Sequence, residues 1–243
     1  MFTGFEKECF VFLQNLQQHN SKEWFEEHRR VYEGKLLTPF RSLVEALGEP
    51  MQQIDKYIET RPAIGKTISQ VRRDTRFSHD KSLYRNNIWL TFKRPKKNWT
   101  DAPAYFFEFG PDWWHYGLGY YSASPATMGL FRERLLQFPQ EFQEAAEAIP
   151  KGFIVHAESY KRQAVPETLP SELAPWYVRK SFYIAKRSTD MAPLASSDLP
   201  RLLLKGFKQL SGMYRFLVAI EDAKQKTKQL LPSAAYERDA FDR

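Results

Sequence analysis

The sequence predicts an α+β fold, a single antiparallel sheet from the middle of the chain packed by N- and C-terminal helices. Three observations predict it. Apolar residues recur at spacings of three and four near both ends of the chain, as an amphipathic helix requires. In the middle the period falls to two, and the residues become aromatic or β-branched. Short connections rich in Pro, Gly, Asn or Asp separate these runs, which favours a meander over parallel crossovers.

Phe5, Cys9, Phe12, Leu13 and Leu16 form the first helical stripe. Asn20 or Ser21 then caps a helix carrying Trp24, Phe25, His28, Val31 and Tyr32. Thr38-Pro39 reads as the start of a third helix, with Phe40, Leu43, Val44 and Leu47 inside and Gly48 as its stop. Strands are expected where Ile88, Leu90 and Phe92 alternate with Trp89, Thr91 and Lys93, at Tyr105 to Phe109, and at Trp113 to Tyr121. Gly110-Pro111-Asp112 is a tight connection between two of them. Ser124-Pro125 restarts helix, with a break at Pro139. Residues 163–176, with three prolines, read as an irregular crossing loop, and Ser181 to Arg187 as one more strand. Two helices meeting near Gly212 complete a single domain over residues 1–230, and residues 231–243 are expected to be a frayed tail.

With 243 residues, 42% of them hydrophobic, the chain buries a sizeable core without disulfide or metal. Cys9 is the only cysteine, so no intramolecular disulfide exists. Glu6, Lys7 and Glu8 interrupt any apolar run of signal-peptide length, and no stretch approaches a membrane span. A cytoplasmic protein without membrane association is expected.

The net charge of +7 is concentrated. Arg61 to Thr100 holds eleven Lys or Arg and two acids, Asp74 and Asp80, so the remaining 203 residues sum to −2. The densest part runs from Arg72 to Arg85. Arginine offers a planar fork of donors suited to phosphate or carboxylate, and lysine a compact charge. Arg73, Arg76 and Lys81 are therefore candidate anion contacts, with Tyr84 as a donor. Asp80 and Asp74 orient the arginines, and Asp74 is the candidate general base. The alternative is an internal ion-pair network that fixes a long loop.

The run Arg73-Asp74-Thr75-Arg76-Phe77, followed by Asp80-Lys81 and Tyr84, closely resembles the signature R-x-x-R-D-x-R-F-x-x-[DN]-K-x-x-Y of a bacterial family of conserved hypothetical proteins, domain of unknown function 2461. Asn20-Ser21-Lys22-Glu23-Trp24-Phe25, the Tyr105 strand, Gly117-Leu118-Gly119-Tyr120 and Tyr214-Arg215-Phe216-Leu217 are also similar, so the resemblance spans most of the chain. It departs at Gln70, where the family usually has arginine. If that arginine helps to bind an anion, this chain binds it more weakly or differently. The resemblance implies membership and fold, and brings no reaction with it.

Other motifs carry less. Gly65-Lys66-Thr67 copies the end of a phosphate-binding loop, but Thr60 replaces its first glycine. Gly117-Leu118-Gly119 lacks the third glycine of a dinucleotide fingerprint and reads as a close backbone approach or bulge in a strand. The five histidines have no metal-ligand spacing, and no cofactor signature is present. Lys93-Arg94-Pro95-Lys96-Lys97-Asn98-Trp99 reads as a solvated hairpin tip or a nucleic-acid contact. Three functions remain: a binder of, or enzyme on, a small anionic and perhaps phosphorylated ligand at the Arg72–Arg85 motif; a non-catalytic interaction protein in which the motif is an ion-pair clasp; and a nucleic-acid-binding protein using segment 61–97. The oligomeric state is left open.

Overall fold

The first stripe forms α1 (Lys7–Gln18), with Cys9, Phe12, Leu13 and Leu16 buried. A computed structural model describes residues 1–76 and 79–230, with side chains to residue 224. The expected frayed tail, 231–243, lies outside the described residues. Ser21 caps α2 (Lys22–Glu27) by accepting from the Trp24 N–H.

Thr38 does not start a separate helix. The chain passes from α3 (Arg29–Val31) through a wide π-helical turn at Tyr32–Leu37 straight into α4 (Thr38–Ile54), and the Thr38 hydroxyl donates to the Glu33 carbonyl. Nor does Gly48 stop α4. The helix continues to Ile54 because Met51 extends the buried stripe of Leu43 and Leu47, while Gly48 sits against the Thr60 side chain.

Among the described residues, five strands form one antiparallel sheet in the order β1-β2-β3-β5-β4. They are β1 (Ile88–Phe92), β2 (Pro103–Phe109), β3 (Trp114–Tyr120), β4 (Ile154–Ser159) and β5 (Arg179–Ser188). Gly110 turns between β2 and β3 by donating its N–H to the Trp113 carbonyl, 2.9 Å. Strand β4 has no counterpart in the sequence reading. All but one of its residues are exposed, so no apolar alternation marks it, and it is held by its ladder to β5. The outer edge of β1 is covered by residues 67–69, where Thr91 N–H donates to Thr67 O and Ser69 N–H to Trp89 O.

One face of the sheet is the core. Leu90, Phe107, Phe109, Tyr116 and Ile184 point into it and are almost wholly buried. Phe5, Phe40 and Phe109 meet at ring-centroid distances of 4.8 to 5.4 Å. Each such side chain contributes about 1.5–3 kcal/mol through burial, which is why the helical ends close over this face. Helices α5 (Pro125–Gln137), α6 (Pro139–Glu147), α8 (Leu199–Gln209) and α9 (Ser211–Leu230) complete the cover. The break at Pro139 and the junction beside Gly212 fall where the sequence places them. The crossing loop ends in a short α7 (Ala174–Tyr177).

The 93–99 group is not a solvated tip. Arg94 pairs with Asp55 and Asp222, Lys96 with Glu221, and Lys224 with Asp101, which lash the β1–β2 connection to α9. Lys93 turns back to donate to Thr91 Oγ1 and the Lys66 carbonyl. No helix among the described residues is long and apolar enough to cross a membrane.

Candidate functional site

The face of the sheet turned away from the helices bears the alternate residues of each strand, and register aligns them into rows. Trp89 lies opposite Glu108, Glu108 opposite His115, and His115 opposite Arg187. The next row runs Thr91, Phe106, Gly117, Ala185, and the following one pairs Ala104, Gly119 and Tyr183. Glycine at 117 and 119 follows from packing. A Cβ at Gly117 would lie 1.8 Å from the Ile184 carbonyl oxygen, and one at Gly119 would lie 2.3 Å from the Tyr183 Cα. This is the close backbone approach expected from the sequence. It also leaves the middle of the face without bulk, and a cleft of about 680 Å³ opens there, within the size range of small-molecule sites.

The Arg72–Arg85 motif stands at the end of this cleft where β1 begins. Its two arms pair, Arg73 N–H donating to Leu83 O and Arg85 N–H to Val71 O, each at 2.8 Å. The Asn20-to-Phe25 stretch secures it. The Asn20 side chain bonds both backbone groups of Tyr84, and the Phe25 ring stacks on the Tyr84 ring at 4.4 Å.

Of the predicted residues, Arg73, Asp80 and Tyr84 border the cleft. Arg73 Nη1 lies 2.8 Å from Asp80 Oδ2. Backbone and side-chain bonds from Ser82, reinforced by Arg73, hold the Asp80 carboxyl below its ordinary range. The Tyr84 ring is buried, and burial raises its phenol. Asp74 and Arg76 pair with one another over a separate, shallow outer pocket, and the Arg76 bonds take the Asp74 carboxyl down to about 2, which makes it a weak base at neutral pH. Lys81 donates to the Thr75 carbonyl and closes the loop. Gln70 presents its backbone carbonyl to Arg85 and otherwise borders both the outer pocket and one beneath Lys93.

Arg85 is the residue that sequence reasoning underweighted. Its guanidinium, half-buried in the cleft, donates to Gln70 O at 3.1 Å and lies 5.0 Å over the Trp89 ring. Among the described residues no carboxylate comes within ion-pair distance of it. Burial lowers its pKa, and the Arg73 charge lowers it further. An anion beside it would reverse both effects.

Glu108 and His115 were also missed. His115 Nε2 lies 2.8 Å from Glu108 Oε2, and Asn87 donates to the other carboxylate oxygen. An imidazole oriented by a carboxylate can accept or deliver a proton at its second nitrogen. Their signal was the period-two pattern, which puts both on the face opposite Phe107 and Tyr116. Of the aromatic residues on and beside the strands, Trp89 and Tyr121 border the cleft, while Tyr105, Trp114, Tyr116 and Tyr120 are buried in the core.

A family model of conserved hypothetical proteins, DUF2461, matches residues 8–216, which takes in α1, the motif, the whole sheet and the start of α9. The chain belongs to the DUF2461 family. No curated protein matches it. For this DUF2461 chain the match covers every residue that lines the cleft, so the site lies within the family's shared region.

Proposed function

We propose that the chain binds a small anionic ligand, phosphate-bearing in the first instance, in the cleft on the open face of the sheet. The observation that carries this reading is Arg85, a half-buried guanidinium in a preformed cavity, beside a second arginine and without a carboxylate partner among the described residues. Burying such a charge is costly unless something pairs with it. Arg73, held in orientation by Asp80, supplies the second fork of donors.

Two other readings have less support. The Asp74–Arg76 and Arg73–Asp80 pairs sit at the surface, where ion pairs add little, and the hairpin is already held by its backbone ladder and by Asn20. A structural clasp would not need them. For nucleic-acid binding, segment 61–97 would have to present its cations together on an open surface, yet Arg61, Arg94 and Lys96 are paired with Glu59, Asp55 and Glu221, and Arg85 borders the cleft.

Calorimetric titration of a panel of phosphorylated metabolites into the native chain and an Arg85→Met variant tests the proposal. At least one compound class binds the native chain, and its affinity falls by about tenfold or more in the variant while the melting temperature holds. No binding by any member, or equal binding to both proteins, overturns it.

A further inference from the structure

We infer that the ligand is a nucleotide, with its phosphate at Arg85 and Arg73 and its base lying on the aromatic floor of the cleft. This rests on the anion reading above and names the substrate class for the same site.

The first argument is length. The motif meets the cleft where β1 begins, and Trp99 and Tyr121 close it beyond the far end of the strands. Five residues of β1 separate the two ends, roughly 15 Å of strand. A phosphate alone would occupy only one end of such a cleft.

The second is the floor. Ala104 and Gly119 provide no bulk, and Phe106, Tyr183 and Trp89 rise around them. Phe106 meets His115 edge-on at 5.1 Å and Tyr183 edge-on at 5.9 Å, so its neighbours fix the ring within the row. Tyr121 is 76% exposed at the mouth, with the Trp99 ring 5.7 Å away. Rings fixed around a bare sheet surface suit a flat aromatic ligand, because stacking brings in the whole ring area without a rotamer cost.

The third is the polar row between the arginines and the floor. Asn87, Glu108 and His115 are linked by hydrogen bonds, and all three border the cleft. Together they offer amide, carboxylate and imidazole groups in one row. A heteroaromatic base carries N–H donors and ring acceptors on its edge that match such a set. A sugar phosphate would leave the aromatic floor uncovered. An acyl phosphate would set an alkyl chain against these polar groups.

The test titrates adenosine, guanosine, cytidine and uridine monophosphates, with ribose phosphate as the baseless control, and follows tryptophan fluorescence and calorimetric heat. At least one nucleotide binds about tenfold or more tightly than ribose phosphate, and Trp89→Leu or Phe106→Leu shrinks that gap. Saturation-transfer NMR on the native chain, which needs no variant, shows base protons closest to the protein. If ribose phosphate binds as tightly as every nucleotide, or if sugar protons receive most of the saturation, the nucleotide assignment is overturned and the anion reading stands. If neither kind of probe binds and the wider panel is also silent, both fall.

Discussion

The side-chain amide of Asn20 bonds both backbone groups of Tyr84, accepting from its N–H at 2.9 Å and donating to its carbonyl at 2.8 Å. A residue between the first two helices thereby holds the arm of a hairpin 64 positions away. Asn20→Ala leaves both groups of a half-buried backbone unpaired and lowers stability by about 2 kcal/mol. Asn20→Asp keeps the acceptor and costs less. Urea unfolding of the three proteins checks the order.

Asp55 ties α4 to α9 and to the β1–β2 connection. Arg94 Nε lies 2.5 Å from Asp55 Oδ2, and the Tyr214 hydroxyl donates to the same oxygen at 2.8 Å. Burial acts to raise the Asp55 carboxyl, but Arg94, the Tyr57 N–H and Tyr214 outweigh it, and the net shift is downward. With the folded value depressed, the unfolded chain takes up the proton first. This contribution is therefore present above the ordinary aspartate value near 3.9 and is lost as pH falls below it. Asp55→Asn should unfold about 2 kcal/mol more easily at neutral pH and show a flatter acid limb in denaturation below about pH 4.

Lys93 predicts a slope of the same sign in an alkaline window. Burial pushes its ammonium down to about 8. Above that value the folded chain has released a proton that the unfolded chain keeps up to about 10.4, so this contribution rises with pH across that window. Titration of reductively methylated lysines by NMR should show one resonance moving near pH 8, absent in Lys93→Met. All lysines titrating above pH 10 would contradict the desolvated geometry.

Gly119 tests the floor of the cleft. Any Cβ there meets the β5 backbone, so Gly119→Val should separate β3 from β5 and destabilise by about 3 kcal/mol or more, with a large loss in melting temperature. Equal stability would mean that the strands do not approach as described.

The fold was legible where burial writes a period. Phe107 and Phe109 alternate with Phe106 and Glu108, and the Cys9, Phe12, Leu16 stripe repeats at helical spacing. Strand β4 was not legible, since a strand without a buried face carries no such mark. Gly48 misled because a helical glycine beside another segment of the chain, here Thr60, looks the same in sequence as one that ends a helix. At the site, the motif's spacing located the hairpin, and Arg73, Asp80 and Tyr84 border the cleft. Asp74 and Arg76 are neighbours of these in sequence, yet they face the outer pocket. Glu108 and His115 come from other strands, and only register reveals that they stand opposite one another.

The central claim is that an anion sits beside Arg85 and over the open face of the sheet. The most direct measurement is the set of indole N–H resonances of the six tryptophans as ribose phosphate is added. The account predicts a saturable shift of Trp89, which lies under the Arg85 guanidinium, with Trp24 and Trp176 unmoved on the helical side. Unmoved indoles throughout, or a shift confined to Trp24 and Trp176, would contradict it.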